Sequence, residues 1–279
     1  MRQGLTRAGI GHVGGLERFV QKAAEYGFQA VDTSGKDIQA WIDATGLDGV
    51  LASLRQHQVV IGSIGLPVQW RATEAEFRSG LAQLVQDAQA AASLGCTVCC
   101  TYIVPSTDYN SAHFMALAVR RLKVCAQLLG TYGIRLGLEF VGPHHQRTML
   151  KHPFIWTASE TLDMIEAIGE RNVGLLLDSL HAYTAEMSIA DIAALRREQI
   201  VHVHLNDAPD VPVAAVLDND RLYPGEGVID LQAFLDALRH IGYDGVVSQE
   251  VLTPHKATEP SDVLLARSRA AFDKVWRGS

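Results

Sequence analysis

Four apolar, strand-like runs in the second half of the chain each close on an ionisable residue. Glu139 closes Arg135-Leu136-Gly137-Leu138-Glu139, and Asp178 closes Val173-Gly174-Leu175-Leu176-Leu177-Asp178. His204 closes Ile200-Val201-His202-Val203-His204, and Glu250 closes Val246-Val247-Ser248-Gln249-Glu250. Carboxylates with one imidazole suit a divalent cation of intermediate hardness, such as Mn²⁺, Co²⁺, Mg²⁺ or Zn²⁺. In a parallel β/α barrel the strand C-termini converge on one face, and that face carries the chemistry. The question is then whether the rest of the chain builds such a barrel.

Hydrophobic periodicity alternates between strand-like and helix-like from end to end. Strands are expected near residues 4–11, 29–33, 59–64, 97–104, 135–140, 173–178, 200–205 and 245–250. The helices between and after them are expected near 16–26, 37–56, 74–94, 112–132, 159–168, 189–198, 231–241 and 261–276. Strand–helix–strand units in series imply parallel strands with right-handed crossovers. This number of units in 279 residues predicts a single (β/α)8 TIM barrel, one domain spanning residues 1–279. The competing open, doubly wound sheet would need a Gly-rich nucleotide fingerprint, and Gly9-Ile10-Gly11-His12-Val13-Gly14-Gly15 is a weak one. Short Gly turns end several helices, as in Tyr26-Gly27-Phe28 and Ile241-Gly242-Tyr243, and read as left-handed C-caps. Long loops at 141–157 and 206–229 flank the proposed ligands, and long loops in compact folds are usually functional.

The composition is that of a water-soluble domain, 48% hydrophobic and 20% charged. A formal net charge of −7 lacks the bulk basic footprint of a nucleic-acid binder. No apolar run has the roughly 18–20 residues of a membrane span, and the N-terminus carries no signal-peptide core. A cytoplasmic protein is expected. Cys96 and Cys99 form a CxxC, but they lie in the strand-like run 96–104, where cysteine behaves as a small hydrophobe. With no second CxxC to complete a zinc site, the pair reads as core.

Taken together, Leu138-Glu139, Asp178-Ser179-Leu180-His181, His202-Val203-His204-Leu205-Asn206-Asp207 and Glu250, one at each of four successive strand ends, resemble the xylose isomerase-like barrel superfamily. Within it the set is most similar to the sugar epimerase and isomerase branch: ketose 3-epimerases, hydroxypyruvate isomerase and inosose dehydratase. The resemblance implies one divalent metal ion held by Glu139, Asp178, His204 and Glu250. Alternation leaves His202 and His204 on one strand face; His204 lies nearer the C-terminal mouth, and the family spacing selects it. His202 reads as a buried group supporting a ligand. Glu139 and Glu250 are implied as the catalytic acid/base pair. A metal that chelates a carbonyl and its neighbouring hydroxyl acidifies the adjacent carbon, and a carboxylate takes the proton. The substrate implied is a small sugar, sugar phosphate or polyol, and a homodimer or homotetramer is common in the superfamily.

Substrate contacts are expected from His181, which follows Asp178 by three residues, from His12 at the end of strand one, and from Arg221 in Asp220-Arg221-Leu222-Tyr223-Pro224-Gly225-Glu226-Gly227. His145 and Arg147 in the strand-five loop, with His144, form a polar group suited to a carboxylate, phosphate or hydroxyl. Trp70, with Phe154 and Trp156, would supply an apolar wall or pack between protomers. Asp32, at the end of strand two, reads as a loop hydrogen-bonder. The chain departs from the ketose 3-epimerases where His145 replaces a second glutamate, and where Asp207 and Asp210 stand near the strand-seven histidine.

Three other readings remain. A lyase of the inosose dehydratase type would use the same metal and base but expel a hydroxyl. A DNA-repair nuclease like endonuclease IV would need additional histidines where this chain has Ser63-Ile64-Gly65, Tyr102-Ile103-Val104 and Leu222. A non-catalytic sugar-binding barrel is the third.

Overall fold

The computed structural model describes residues 1–276. Eight parallel strands close into a barrel, each pairing with its neighbours in chain order and the last with the first. They are β1 (Arg2–Leu5), β2 (Ala30–Thr33), β3 (Val60–Gly65), β4 (Val98–Ile103), β5 (Arg135–Phe140), β6 (Val173–Asp178), β7 (Ile200–Leu205) and β8 (Val246–Gln249). The fold is thus the (β/α)8 barrel that the alternating pattern implies.

Helices pack outside the strands because each carries one apolar stripe. In Leu16–Glu25 the buried residues are Leu16, Phe19, Val20 and Ala23, the spacing of a single helix face. Local chemistry sets the starts. Thr73 with Glu76 and Thr157 with Glu160 form reciprocal capping boxes that open Glu74–Ser93 and Ala158–Ile168. The closing helix, Ser261–Val275, returns to the beginning of the chain, where Phe272 meets Phe28 edge-to-face at 5.3 Å.

Three boundaries differ from the sequence reading. β1 stops at Leu5, because Thr6 turns the chain: its Oγ1 accepts from the Ala8 amide, and Gly9 and Gly11 follow with positive φ. The helical stretch expected over 37–56 is two helices, Gly35–Thr45 and Leu47–His57, split at Gly46. After β6 a short helix, Ser179–Thr184, precedes Ile189–Ala193, which is shorter than expected. Cys96, Cys99, Cys100 and Cys125 are free, and burial pushes their thiols up, so they pack rather than react. Among the described residues no helix is long and apolar enough to cross a membrane.

Strand register aims the ionisable residues. Asp178 pairs with His204, and His204 with Ser248, so Glu250 lies two residues further along the same face. Glu139 pairs with Leu176, which shares its face with Asp178. A register shift between Leu175 and Leu176 sets His202 beside Leu176, and one between Val31 and Asp32 re-aims Asp32 inward. Gly62 is what makes room there: a β-carbon would lie 2.5 Å from Asp32 Oδ1.

Candidate metal centre

At the C-terminal mouth, Glu139, Asp178, His204 and Glu250 each direct one donor atom so that all lie within 4.8 Å of one another. His204 Nδ1 is 3.5 Å from Glu139 Oε1 and 3.3 Å from Glu250 Oε2. Glu139 Oε1 and His204 Nδ1 are buried and have no hydrogen-bond partner. Two orphaned donor atoms facing each other across a cluster of carboxylates are a costly arrangement for protein alone. A divalent cation satisfies both and offsets the clustered negative charge, so the residues fit a metal.

The other ring nitrogen of His204 is equally constrained. Nε2 lies 3.5 Å from Asp32 Oδ2, which is also 2.8 Å from His202 Nε2. A carboxylate behind the imidazole fixes the ring and leaves Nδ1 for a metal. Burial opposes charge on His204, but Glu250, Asp32 and Glu139 together raise its pKa well above the ordinary value. For Glu250, too, burial is overridden: His204 and then Arg221 hold its carboxyl below the usual range. Glu139 goes the other way, raised chiefly by burial.

Asp178 is fully buried and uses both oxygens. Oδ1 caps the helix Ser179–Thr184, accepting from the Leu180 and His181 amides at 2.8 and 3.1 Å. Oδ2 accepts from Asn206 Nδ2 at 2.7 Å and Arg221 Nη1 at 3.1 Å. Asn206 is itself locked, its Oδ1 accepting from Ser179 and Leu180 and its Nδ2 also reaching the Glu250 carbonyl. Arg221 Nη1 donates to Glu250 Oε2 at 2.9 Å, and Nη2 donates to Asp218 Oδ1 at 2.6 Å. Its guanidinium is thereby committed to three carboxylates, which hold it charged against burial.

A search of family models matches the description "xylose isomerase-like TIM barrel" over residues 20–272. The chain belongs to this family. Among curated relatives, the inosose isomerase of Bacillus velezensis is 36% identical over 138 residues, 49% of this chain and 47% of that protein. The match therefore spans about half the length of that relative. The 2-oxo-tetronate isomerase of Haemophilus influenzae is 26% identical over 84% of this chain and 86% of its own. A D-psicose 3-epimerase of Enterocloster bolteae and a 3-dehydroshikimate dehydratase of Pseudomonas aeruginosa also match. Among solved structures, a xylose isomerase domain protein from Alicyclobacillus acidocaldarius superposes with a TM-score of 0.90 at 32% identity, covering 99% of this chain and 98% of that one. The IOLI protein, solved with a bound zinc atom, superposes with a TM-score of 0.82 at 22% identity, covering 99% and 98%.

Within this xylose isomerase-like barrel, the remaining expected residues fall in different places. His181 is buried beside the cluster. Its Nδ1 accepts from the Gly142 amide at 3.4 Å, and its Nε2 lies 3.4 Å from Arg221 Nη2 and 3.7 Å from Asp218 Oδ1. That contact requires a glycine at 142, where a β-carbon would sit 2.5 Å from both the His181 carbonyl and Thr184 Oγ1. His145 is half-buried and is not part of the pocket wall.

Three expected residues lie apart from the donor cluster. Arg147 turns away from the site: it donates to the Gly142 and Thr184 carbonyls at 2.7 and 2.6 Å and stacks 3.7 Å over Trp156. Trp70 is 1% exposed, stacks on Phe114, and donates to Thr101 Oγ1, so it lies behind the pocket wall and faces neither substrate nor a second protomer. His12 is not at a strand end; it is exposed in the loop after β1 and lines a separate cleft.

Asp32, Asn206 and Asp218 are the residues that the sequence reading undervalued or missed. Asn206 is recoverable in principle, since it shares strand parity with His204. Asp218 gives no local signal: it acts through Arg221 and through Gln146, 72 positions away in the chain. The pocket over the centre, about 400 Å³, is completed from the opposite strands by hydroxyl groups, among them Thr6, Thr33, Ser34, Ser63, Thr101 and Tyr102, and by the charged Arg7, Asp32 and Asp37.

Proposed function

We propose that this protein is a divalent-metal-dependent isomerase or epimerase of a small sugar, sugar phosphate or polyol ketone. The observation that carries the reading is the converged donor set, with Glu139 Oε1 and His204 Nδ1 left without protein partners. The isomerase and epimerase relatives support it, and so does the IOLI protein of the same fold, which was solved with a bound zinc atom. The ion would be held by Glu139, Asp178, His204 and Glu250, and when bound would supply Lewis acidity to a carbonyl oxygen.

The chain's own residues do the rest. Glu139 and Glu250 reach the pocket from β5 and from the end of β8, with β6 and β7 between them. Either carboxylate can take the proton from carbon, and the other can return one. Arg221 and His181 stand beside them, and in this reading they orient the oxygens of the substrate. The hydroxyl-rich wall from β1–β4 suits a polyol, each hydroxyl having a donor or acceptor to meet.

The test is solvent exchange. Metal-loaded protein is incubated in D₂O with a panel of ketoses, ketose phosphates and inososes, and carbon-bound deuterium is read by NMR, with Glu250→Gln alongside. Uptake that disappears in the variant is expected. A new stereoisomer assigns an epimerase, an aldose–ketose shift an isomerase, and loss of water the lyase reading. No exchange on any compound, with metal bound, defeats the enolising mechanism and favours a binding barrel.

A further inference from the structure

A second cleft, of about 530 Å³, opens beside the metal pocket, and Arg7 belongs to the wall of both. One side is the loop after β1, residues 7–12; the other is the segment 251–257, which leaves directly from Glu250. The two are packed together, since a β-carbon on Gly9 would lie 2.7 Å from the Val251 β-carbon. Tyr223 holds the loop by donating from its hydroxyl to the Gly9 carbonyl.

The charge of the two cavities is opposite. Asp32, Asp37, Glu139 and Glu250 line the metal pocket. The second cleft carries Arg7, His12, His255 and Lys256 and no acidic lining residue, in a chain whose net charge is −7. A local basic cleft on an acidic protein is an anion trap, because low-dielectric walls focus the field.

Arg7 is placed rather than loose. Its Nη1 donates to the Gly14 carbonyl at 2.8 Å, and its guanidinium lies 4.8 Å from the centroid of Phe19. Among the described residues neither Arg7 nor Lys256 forms an ion pair. Asp37 acts on Arg7 electrostatically from the metal-pocket side. The contrast with the other buried arginines is sharp. Arg121 is tied to the Trp70 and Ala72 carbonyls and to Glu74, and Arg221 to three carboxylates. A half-buried guanidinium with one carbonyl partner keeps most of its N–H donors for something else, and their planar fork matches phosphate or carboxylate.

We propose that this cleft is an anion subsite, in which a phosphate or carboxylate group of the substrate lies against Arg7 and Lys256 while its carbonyl end occupies the metal pocket. His12 and His255 flank the group. The inference rests on the metal-pocket reading for the position of the carbonyl, and it narrows the substrate class to a sugar phosphate or a sugar acid. It also moves the anion-binding role from the strand-five loop, where Arg147 is tied to backbone, to the loop after β1.

The experiment titrates metal-loaded protein by calorimetry with glycerol phosphate, glycerate and neutral glycerol. One anion is expected to bind at least about tenfold tighter than glycerol, and Arg7→Gln and Lys256→Gln each to weaken it by roughly fivefold or more with metal content unchanged. Preference for glycerol phosphate assigns a phosphate, and preference for glycerate a carboxylate. Anion binding no tighter than glycerol, or binding unchanged in both variants, overturns the subsite, the latter because the anion then sits on the metal. Should Arg7→Gln fail to fold, the exposed Lys256→Gln decides alone. Failure of the underlying reading looks different: anion binding persists but no compound exchanges deuterium. Exchange that favours a neutral ketose over its phosphate and its acid refutes the subsite and leaves the isomerase reading standing.

Discussion

The mouth of this barrel has two unlike halves. From β5 to β8, every strand end contributes an ionisable donor, and three of the four are held by a further buried group: Asn206 on Asp178, Asp32 on His204, Arg221 on Asp178 and Glu250. From β1 to β4, the pocket wall is rich in hydroxyls, with Ser63 on β3 and Thr101 and Tyr102 on β4, beside the charged Arg7, Asp32 and Asp37. The first half is a closed network in which removing one partner strands a charge. The second is a surface of independent groups, each worth a single hydrogen bond. The same barrel geometry therefore separates chemistry, which demands fixed positions, from recognition, which can be retuned one side chain at a time.

The sharpest way to break the contrast is to strike the ionic half. Glu250→Gln keeps shape but removes the carboxylate that we propose as both a metal ligand and an acid/base group. Proton exchange from carbon is expected to fall by roughly 10²–10⁴-fold, the range for a positioned general base. Glu139→Gln should do the same, with circular dichroism unchanged. If either variant retains exchange within about threefold of the parent, the pair is not the acid/base machinery.

Much of this half was legible because an ionisable residue closing an apolar strand leaves a clear mark. Glu139, Asp178, His204 and Glu250 stand out for that reason, and the strand boundaries of β5, β6 and β7 match the pattern to the residue. The hydroxyl half leaves no such mark, since Ser and Thr occur everywhere. Direction was the other blind spot. Arg147 and Trp70 have the right chemistry at the right loops, yet one turns onto backbone carbonyls and the other into the core. Asp32 looked like an ordinary loop residue because its partners, His202 and His204, lie 170 or more positions away.

A milder effect should come from the supports. Asn206→Ala leaves the four donor residues in place but removes one of the two donors to Asp178 Oδ2, so that Arg221 alone holds that oxygen. Metal affinity is expected to drop by about 10–100-fold, the usual cost of losing such a partner. Competition with a fluorescent chelator measures it. An unchanged Kd would mean that the helix cap and Arg221 position Asp178 without Asn206.

The metal also has to compete with protons. Without a metal, the carboxylate neighbours of His204 raise its pKa above the ordinary value against the opposing effect of burial, which favours the protonated ring. A cation on Nδ1 needs the neutral ring, so binding is expected to release protons and apparent affinity to fall as pH is lowered. Calorimetry in buffers of different ionisation enthalpy reads the number directly. No release at pH 7 would show that Nδ1 is not a ligand.

The smallest effect belongs to the hydroxyl half. Ser63 is buried at the end of β3 and lines the pocket. Ser63→Ala removes one hydroxyl and leaves no charge uncompensated, so the expected loss is about 1 kcal/mol, or roughly fivefold. It should appear in KM for substrates bearing the matching hydroxyl and vanish for the deoxy analogue, with metal Kd unaltered. A loss in kcat as large as that of Asn206→Ala would mean that the two halves are not separable, and that the hydroxyl wall positions the reacting carbon as strictly as the ligands position the metal.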